Sequence, residues 1–167
     1  MVKASELFYV RYGHSLELNR LEQCSAMEGF PFASRKSGDN GIAAYVKEIP
    51  GIEPASPGQL TCALSGNGVL STFIQERPFY TAFHVACLKP KVKMNQAELL
   101  YYCLCIKANR YRYNYGRQAN RTLKDIFIPS PAEIPQGINE VANQVIRDMM
   151  NSLQSITEGF AKGMVRK

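Results

Sequence analysis

GQLTCALSGNGVLSTFIQERPFYTAFHVACLKP, residues 58–90, is a series of short apolar runs cut by glycine, asparagine and proline. QLTCALS, VLSTFIQ and FHVACLKP are rich in β-branched and aromatic residues, and SGNG and ERP separate them. That grammar predicts strands joined by turns. SGNG, at 65–68, fits a tight hairpin loop because Gly66 and Gly68 tolerate positive φ. The same grammar extends upstream to Gly29. There FPFAS and IAAYVKEI are two more strands around SGDNG, and the proline-rich IPGIEPASPG is an exposed loop.

Downstream of Pro90 the period changes. Asn95 is placed to cap a helix, Glu98 sits three residues later as in a capping box, and LLYYCLCI follows. Leu99, Tyr102, Cys103 and Ile106 then share one face, so a helix is predicted between Met94 and Tyr113. GRQANRTLKDIFIP predicts a loop, a helical turn and a short strand ending at Pro129, and IPSPAEIP reads as a linker. Beyond it Ile138, Val141, Val145, Met149 and Leu153 recur at helical spacing. At the other end, ELFYVRYGHSLELNRLEQ predicts a short strand or turn and then a short helix around Leu16, Leu18 and Leu21.

The stretch with the most chemistry is KANRYRYNYGRQANRTLK, residues 107–124. It holds six basic residues, no acid, tyrosines at 111, 113 and 115, and four side-chain amides. Arginine can bond guanine O6 and N7 in bidentate fashion, and asparagine or glutamine can do the same with adenine N6 and N7. Further cations neutralise phosphate, and tyrosine bonds phosphate or packs on sugar. The candidate DNA-binding residues here are Arg110, Arg112, Tyr113, Tyr115, Arg117, Gln118, Asn120, Arg121 and Lys124. The plainer alternative is a solvated basic helix end with its tyrosines partly in the core. SRKSGDNG (34–41) adds Arg35, Lys36 and Asn40 on a loop, although Asp39 and Asn40 also suit a simple β-turn. Asn67 belongs to SGNG, whose backbone N–H groups could meet a phosphate or form only a turn.

Other classes find less support. The net charge of +6 favours polyanionic partners only mildly. The five cysteines are an odd number without a Cys-x-x-Cys pair, which points to neither zinc nor a disulfide framework. With no apolar signal core and no run able to span a bilayer, the expected location is the cytoplasm. His14 and His84 are the only histidines, and TAFHVAC, read as a strand, puts His84 and Cys87 on opposite faces. Cys24 or Cys62 as a nucleophile is the enzymatic reading that remains.

YGHSLELNRLE, PFASRKSGDNGIAAYVKEIPGIEP, the 58–90 stretch and YGRQANRTLKDIFIPSP together resemble a target recognition domain. Such domains belong to the specificity subunits of type I restriction–modification systems and to related fused restriction–methylation enzymes. The resemblance covers about residues 5–135, and its most specific part is YGRQANRTLKDIFIPSP. It implies an α+β fold, with a mixed, strongly twisted β-sheet, flanking helices and a C-terminal helix. Residues 1–135 would be the recognition domain and 136–167 a helix for packing or dimerisation, with Val141, Val145, Met149 and Ile156 as its face. The implied function is sequence-specific binding of double-stranded DNA that directs methyltransferase and, in some systems, restriction subunits to a target. The chain itself would be non-catalytic and without cofactor; S-adenosylmethionine and Mg would belong to the partners. The alternative is an interaction module derived from a specificity subunit that does not read DNA.

Overall fold

The helix after Pro90 forms as its sequence requires. In a computed structural model that describes residues 1–113, 118–148 and 150–151, it spans Gln96–Ala108. The Asn95 side chain accepts from the Glu98 backbone N–H at 3.0 Å, and the Glu98 carboxylate accepts from the Asn95 N–H at 2.7 Å. Leu99, Tyr102, Cys103 and Ile106 are its buried residues, the four that share a face in the sequence. Asn95→Ala leaves the Glu98 N–H without its side-chain partner and is expected to cost about 1 kcal/mol in chemical denaturation.

In chain order the elements are β1 (Val2–Lys3), α1 (Ala4–Leu7), β2 (Phe8–Tyr12), β3 (Phe30–Ala33), β4 (Ile42–Val46), β5 (Gln59–Ala63), β6 (Thr72–Gln75), β7 (Tyr80–Thr81), β8 (Val85–Pro90), α2 (Gln96–Ala108) and β9 (Phe127–Ile128). The class is α+β. The strands divide among three sheets: an antiparallel sheet in the order β2-β8-β5-β6, a sheet β4-β3-β7, and the pair β1-β9. The second sheet is the mixed one, since β3 pairs antiparallel with β4 and parallel with β7. Around Leu16, Leu18 and Leu21 only a single 3-10 turn forms, Leu18–Arg20, and the three leucines pack on Phe32, Val46 and Tyr80.

Alternation sets which face of the four-stranded sheet looks where. Register places Phe8, Leu88 and Leu60 on one side, where Phe8 meets Tyr102 of α2 edge-on at 5.6 Å. Cys87 is on the other side, in a buried cluster with Ala33 and Phe79. The sheet is therefore fixed on both faces. That holds its end, where Tyr12 pairs with Ala86 and Ala63 with Val85, as a firm base for the loops beyond.

SGNG does not close a tight hairpin. β5 ends at Ala63 and β6 begins at Thr72, so residues 64–71 form a longer connection. Leu70 adopts φ +60° within it and is held there by its N–H bond to the Ala63 carbonyl. Gly66 has φ +76°, as expected, whereas Gly68 is required by close approach instead: a Cβ there would lie 2.1 Å from the Arg35 carbonyl oxygen.

Contacts divide the chain into Met1–Glu133 and a unit beginning at Ile134. In the latter, residues 138–148 and 150–151 are helical, and Val141 and Val145 are exposed. Met149, Leu153 and Ile156 lie outside the described residues. No helix among the described residues is long and apolar enough to cross a membrane.

Candidate nucleic-acid interface

Three loops meet beyond the end of the four-stranded sheet. The Ala119 N–H donates to the Leu64 carbonyl at 2.8 Å, and the Leu64 N–H donates to the His84 carbonyl at 2.8 Å. The first bond seats residues 118–120 on the β5–β6 connection, and the second ties that connection to the β7–β8 turn. The Arg35 guanidinium donates to Ser65 Oγ at 3.2 Å, and its backbone presses on Gly68. From the far side, Arg110 Nη2 donates to the Asn67 carbonyl. Residues 35, 65–68, 110 and 118–120 are thus neighbours despite wide separation in sequence.

Arg110, Arg112 and Tyr113 reach this region because a 3-10 turn, Asn109–Tyr113, extends α2. Arg112, Tyr113, Gln118 and Thr122 line an open cleft of about 460 Å³, and the Tyr113 hydroxyl bonds Thr122 Oγ1 at 2.8 Å. Asn120 Nδ2 donates to Gln118 Oε1 at 2.9 Å. Arg121 is exposed beside them. Asn114, Tyr115, Gly116 and Arg117 lie outside the described residues, so two predicted contacts, Tyr115 and Arg117, have no placement.

Other predicted residues are engaged differently. Asn40 has φ +53°, its side chain donates to the Ile74 carbonyl at 2.9 Å, and its own carbonyl accepts from Gln75 at 3.1 Å. Those bonds tie the loop to β6 and account for Asn40 as a turn residue. The Lys36 ammonium is paired with Asp39 in the same loop. Lys124 sits on the 3-10 turn Leu123–Asp125, which packs against α1. Its neighbour Asp125 is bridged to Lys3 at 3.0 Å. Among the described residues no hydrogen bond or ion pair links Lys124 to the loop junction.

Comparison with known proteins gives this arrangement a context. No family model matches the chain. A type II restriction enzyme specificity subunit, S.BcgI of Heyndrickxia coagulans, is 26% identical over 151 residues, which is 90% of this chain and 43% of that protein. The S subunit of the type I restriction–modification system of M. genitalium aligns over 93% of this chain and 42% of its own, with a TM-score of 0.59 and 16% identity. A chain from a structure of the type I system aligns at TM-score 0.65 with 18% identity, over 94% of this chain and 41% of its own. The HsdS subunit from Thermoanaerobacter tengcongensis aligns at 0.62 with 20% identity, over 87% of this chain and 38% of its own. The fold matches that of part of a restriction–modification specificity subunit. The chain spans less than half the length of the relatives it matches.

Within this specificity-subunit fold, two residues at the junction escape the sequence reading. TAFHVAC looks like unbroken strand, but β8 begins only at Val85, and His84 occupies a turn with φ +56°. Its backbone N–H donates to the Tyr12 hydroxyl at 2.9 Å, and its ring Nδ1 lies 3.0 Å from the same oxygen. No glycine or asparagine marks that turn. A tertiary hydrogen bond holds it, and nothing local in the sequence could have signalled it.

The nucleophile reading of Cys62 meets a physical obstacle. Its side chain is fully buried, and burial pushes the thiol up to about 12, so the reactive thiolate is suppressed at neutral pH. Among the described residues no group of three or more His, Cys, Asp or Glu side chains is arranged to hold a metal ion.

Proposed function

We propose that this chain is the DNA target-recognition part of a restriction–modification specificity subunit, reading sequence for partner subunits that carry out the chemistry. The observation that carries the reading is the junction of residues 35, 65–68, 110–113 and 118–120 on a specificity-subunit fold. It gathers guanidinium and carboxamide groups, the side chains suited to base edges, at one end of a rigid sheet. The chain itself performs no reaction in this account. S-adenosylmethionine and Mg would be bound by a methyltransferase and a nuclease subunit. The helical residues after Gly137 would pair with a second recognition half or a second copy, and exposed Val141 and Val145 are the described part of that face.

Base contacts and phosphate contacts give different signatures. Gln118→Ala is expected to relax base preference at one position by about tenfold while sparing the others. Arg121→Ala, which removes one exposed cation beside the cleft, is expected to weaken all duplexes alike and to lower the salt slope by about 1. Selection from a random duplex pool with the full chain and each variant separates the two. If both variants weaken every duplex equally, the assignment of Gln118 to base reading fails.

A further inference from the structure

The junction contains a hydrogen-bonded chain that starts at a strand residue and ends on two exposed amides. The Tyr12 hydroxyl accepts from the His84 backbone N–H at 2.9 Å and lies 3.0 Å from His84 Nδ1. In the tautomer with its ring proton on Nε2, Nδ1 is an acceptor for the Tyr12 hydroxyl proton. Asn120 Nδ2 lies 3.4 Å from the same Nδ1, so in that tautomer its NH2 group shares the single Nδ1 lone pair with the Tyr12 hydroxyl. The other proton of that NH2 goes to Gln118 Oε1 at 2.9 Å. Both donors of Asn120 and one acceptor of Gln118 are thus turned inward. Asn120 Oδ1 and Gln118 Nε2 remain, without a partner among the described residues, and both side chains are exposed.

We infer that Tyr12 and His84 are positioning residues that fix the polarity of the Asn120–Gln118 pair, so that the pair presents one acceptor and one donor to an adenine in the major groove. Adenine offers the complementary set there, an N6 amino donor beside an N7 acceptor. Guanine offers two acceptors, cytosine one donor, and thymine one acceptor with a methyl group. An amide free to rotate would tolerate guanine by turning its NH2 outward, and the relay removes that freedom for Asn120. The inference rests on the DNA-reading function proposed above.

The test is selection from a random duplex pool with the full chain, Tyr12→Phe, His84→Asn and Asn120→Ala. Tyr12→Phe keeps the ring and loses the hydroxyl. Asparagine tolerates the left-handed backbone of residue 84 while removing the imidazole. The wild-type motif should contain an adenine whose preference Asn120→Ala abolishes. Tyr12→Phe and His84→Asn should each lower that preference about fivefold or more, with other positions and the salt slope unchanged. Three results overturn the inference while leaving DNA reading intact. Both positioning variants could keep the adenine preference within about twofold, they could weaken every position alike, or the position lost in Asn120→Ala could select another base. A wild-type pool with no motif overturns the DNA reading itself, and this inference with it.

Discussion

Raising salt from about 50 to about 200 mM is expected to weaken duplex binding about 150-fold. Arg35, Arg110, Arg112 and Arg121 are exposed, and none takes part in an ion pair between described residues. Each phosphate neutralised releases counterions, which gives a slope of about −0.9 in log affinity against log salt. Four guanidiniums acting on phosphates or close to them therefore give a slope of about −3.6, and a fourfold rise in salt multiplies through it. Lys36 contributes less because Asp39 already pairs with it. Anisotropy titrations at four or five salt concentrations measure the slope directly. A slope shallower than about −1 would mean that the arginines at the junction do not face DNA.

Gly68→Ala is expected to destabilise the chain by up to about 3 kcal/mol and to abolish sequence preference before it abolishes folding. The added Cβ would sit 2.1 Å from the Arg35 carbonyl oxygen and 3.6 Å from the Ser37 nitrogen, so backbone and not a flexible side-chain tip must give way. The response is separation of the 35–37 loop from the 65–68 loop, which breaks the Arg35–Ser65 hydrogen bond and moves the Asn67 carbonyl that Arg110 grips. Gly38 is the control, because a Cβ there meets nothing within 4 Å. Thermal melts of the two variants with their duplex-selection profiles check the claim. Equal melting temperatures and equal motifs would refute it.

The sequence was most legible where local rules act alone. The capping box at Asn95 and Glu98 and the buried quartet of α2 follow from spacing, and five runs between Phe30 and Pro90 became strands where glycine and proline bounded them. Legibility fell wherever the deciding contact is distant in sequence. The parallel pairing of Phe32 with Tyr80 divides the strands among separate sheets, and no periodicity announces it. His84 and Leu70 adopt left-handed backbone because Tyr12 and Ala63 hold them, although neither residue type prefers it. The site shows the same split. Arginine, tyrosine and amides crowd residues 107–124 visibly, but their meeting with Arg35 and Asn67 depends on bonds spanning 30 to 43 residues. Asn40 stood out by composition and turned out to serve its own turn.

Sequence reading is the role proposed for the loop junction. Its most direct measurement is the affinity ratio between the duplex selected by the full chain and a scrambled duplex of equal length and composition, taken near physiological salt. Phosphate contacts cancel in that ratio and base reading remains. A ratio of about 10³ or more is expected. A ratio within about threefold of one, with tight salt-sensitive binding to both duplexes, would show a polyanion-binding surface that reads no sequence.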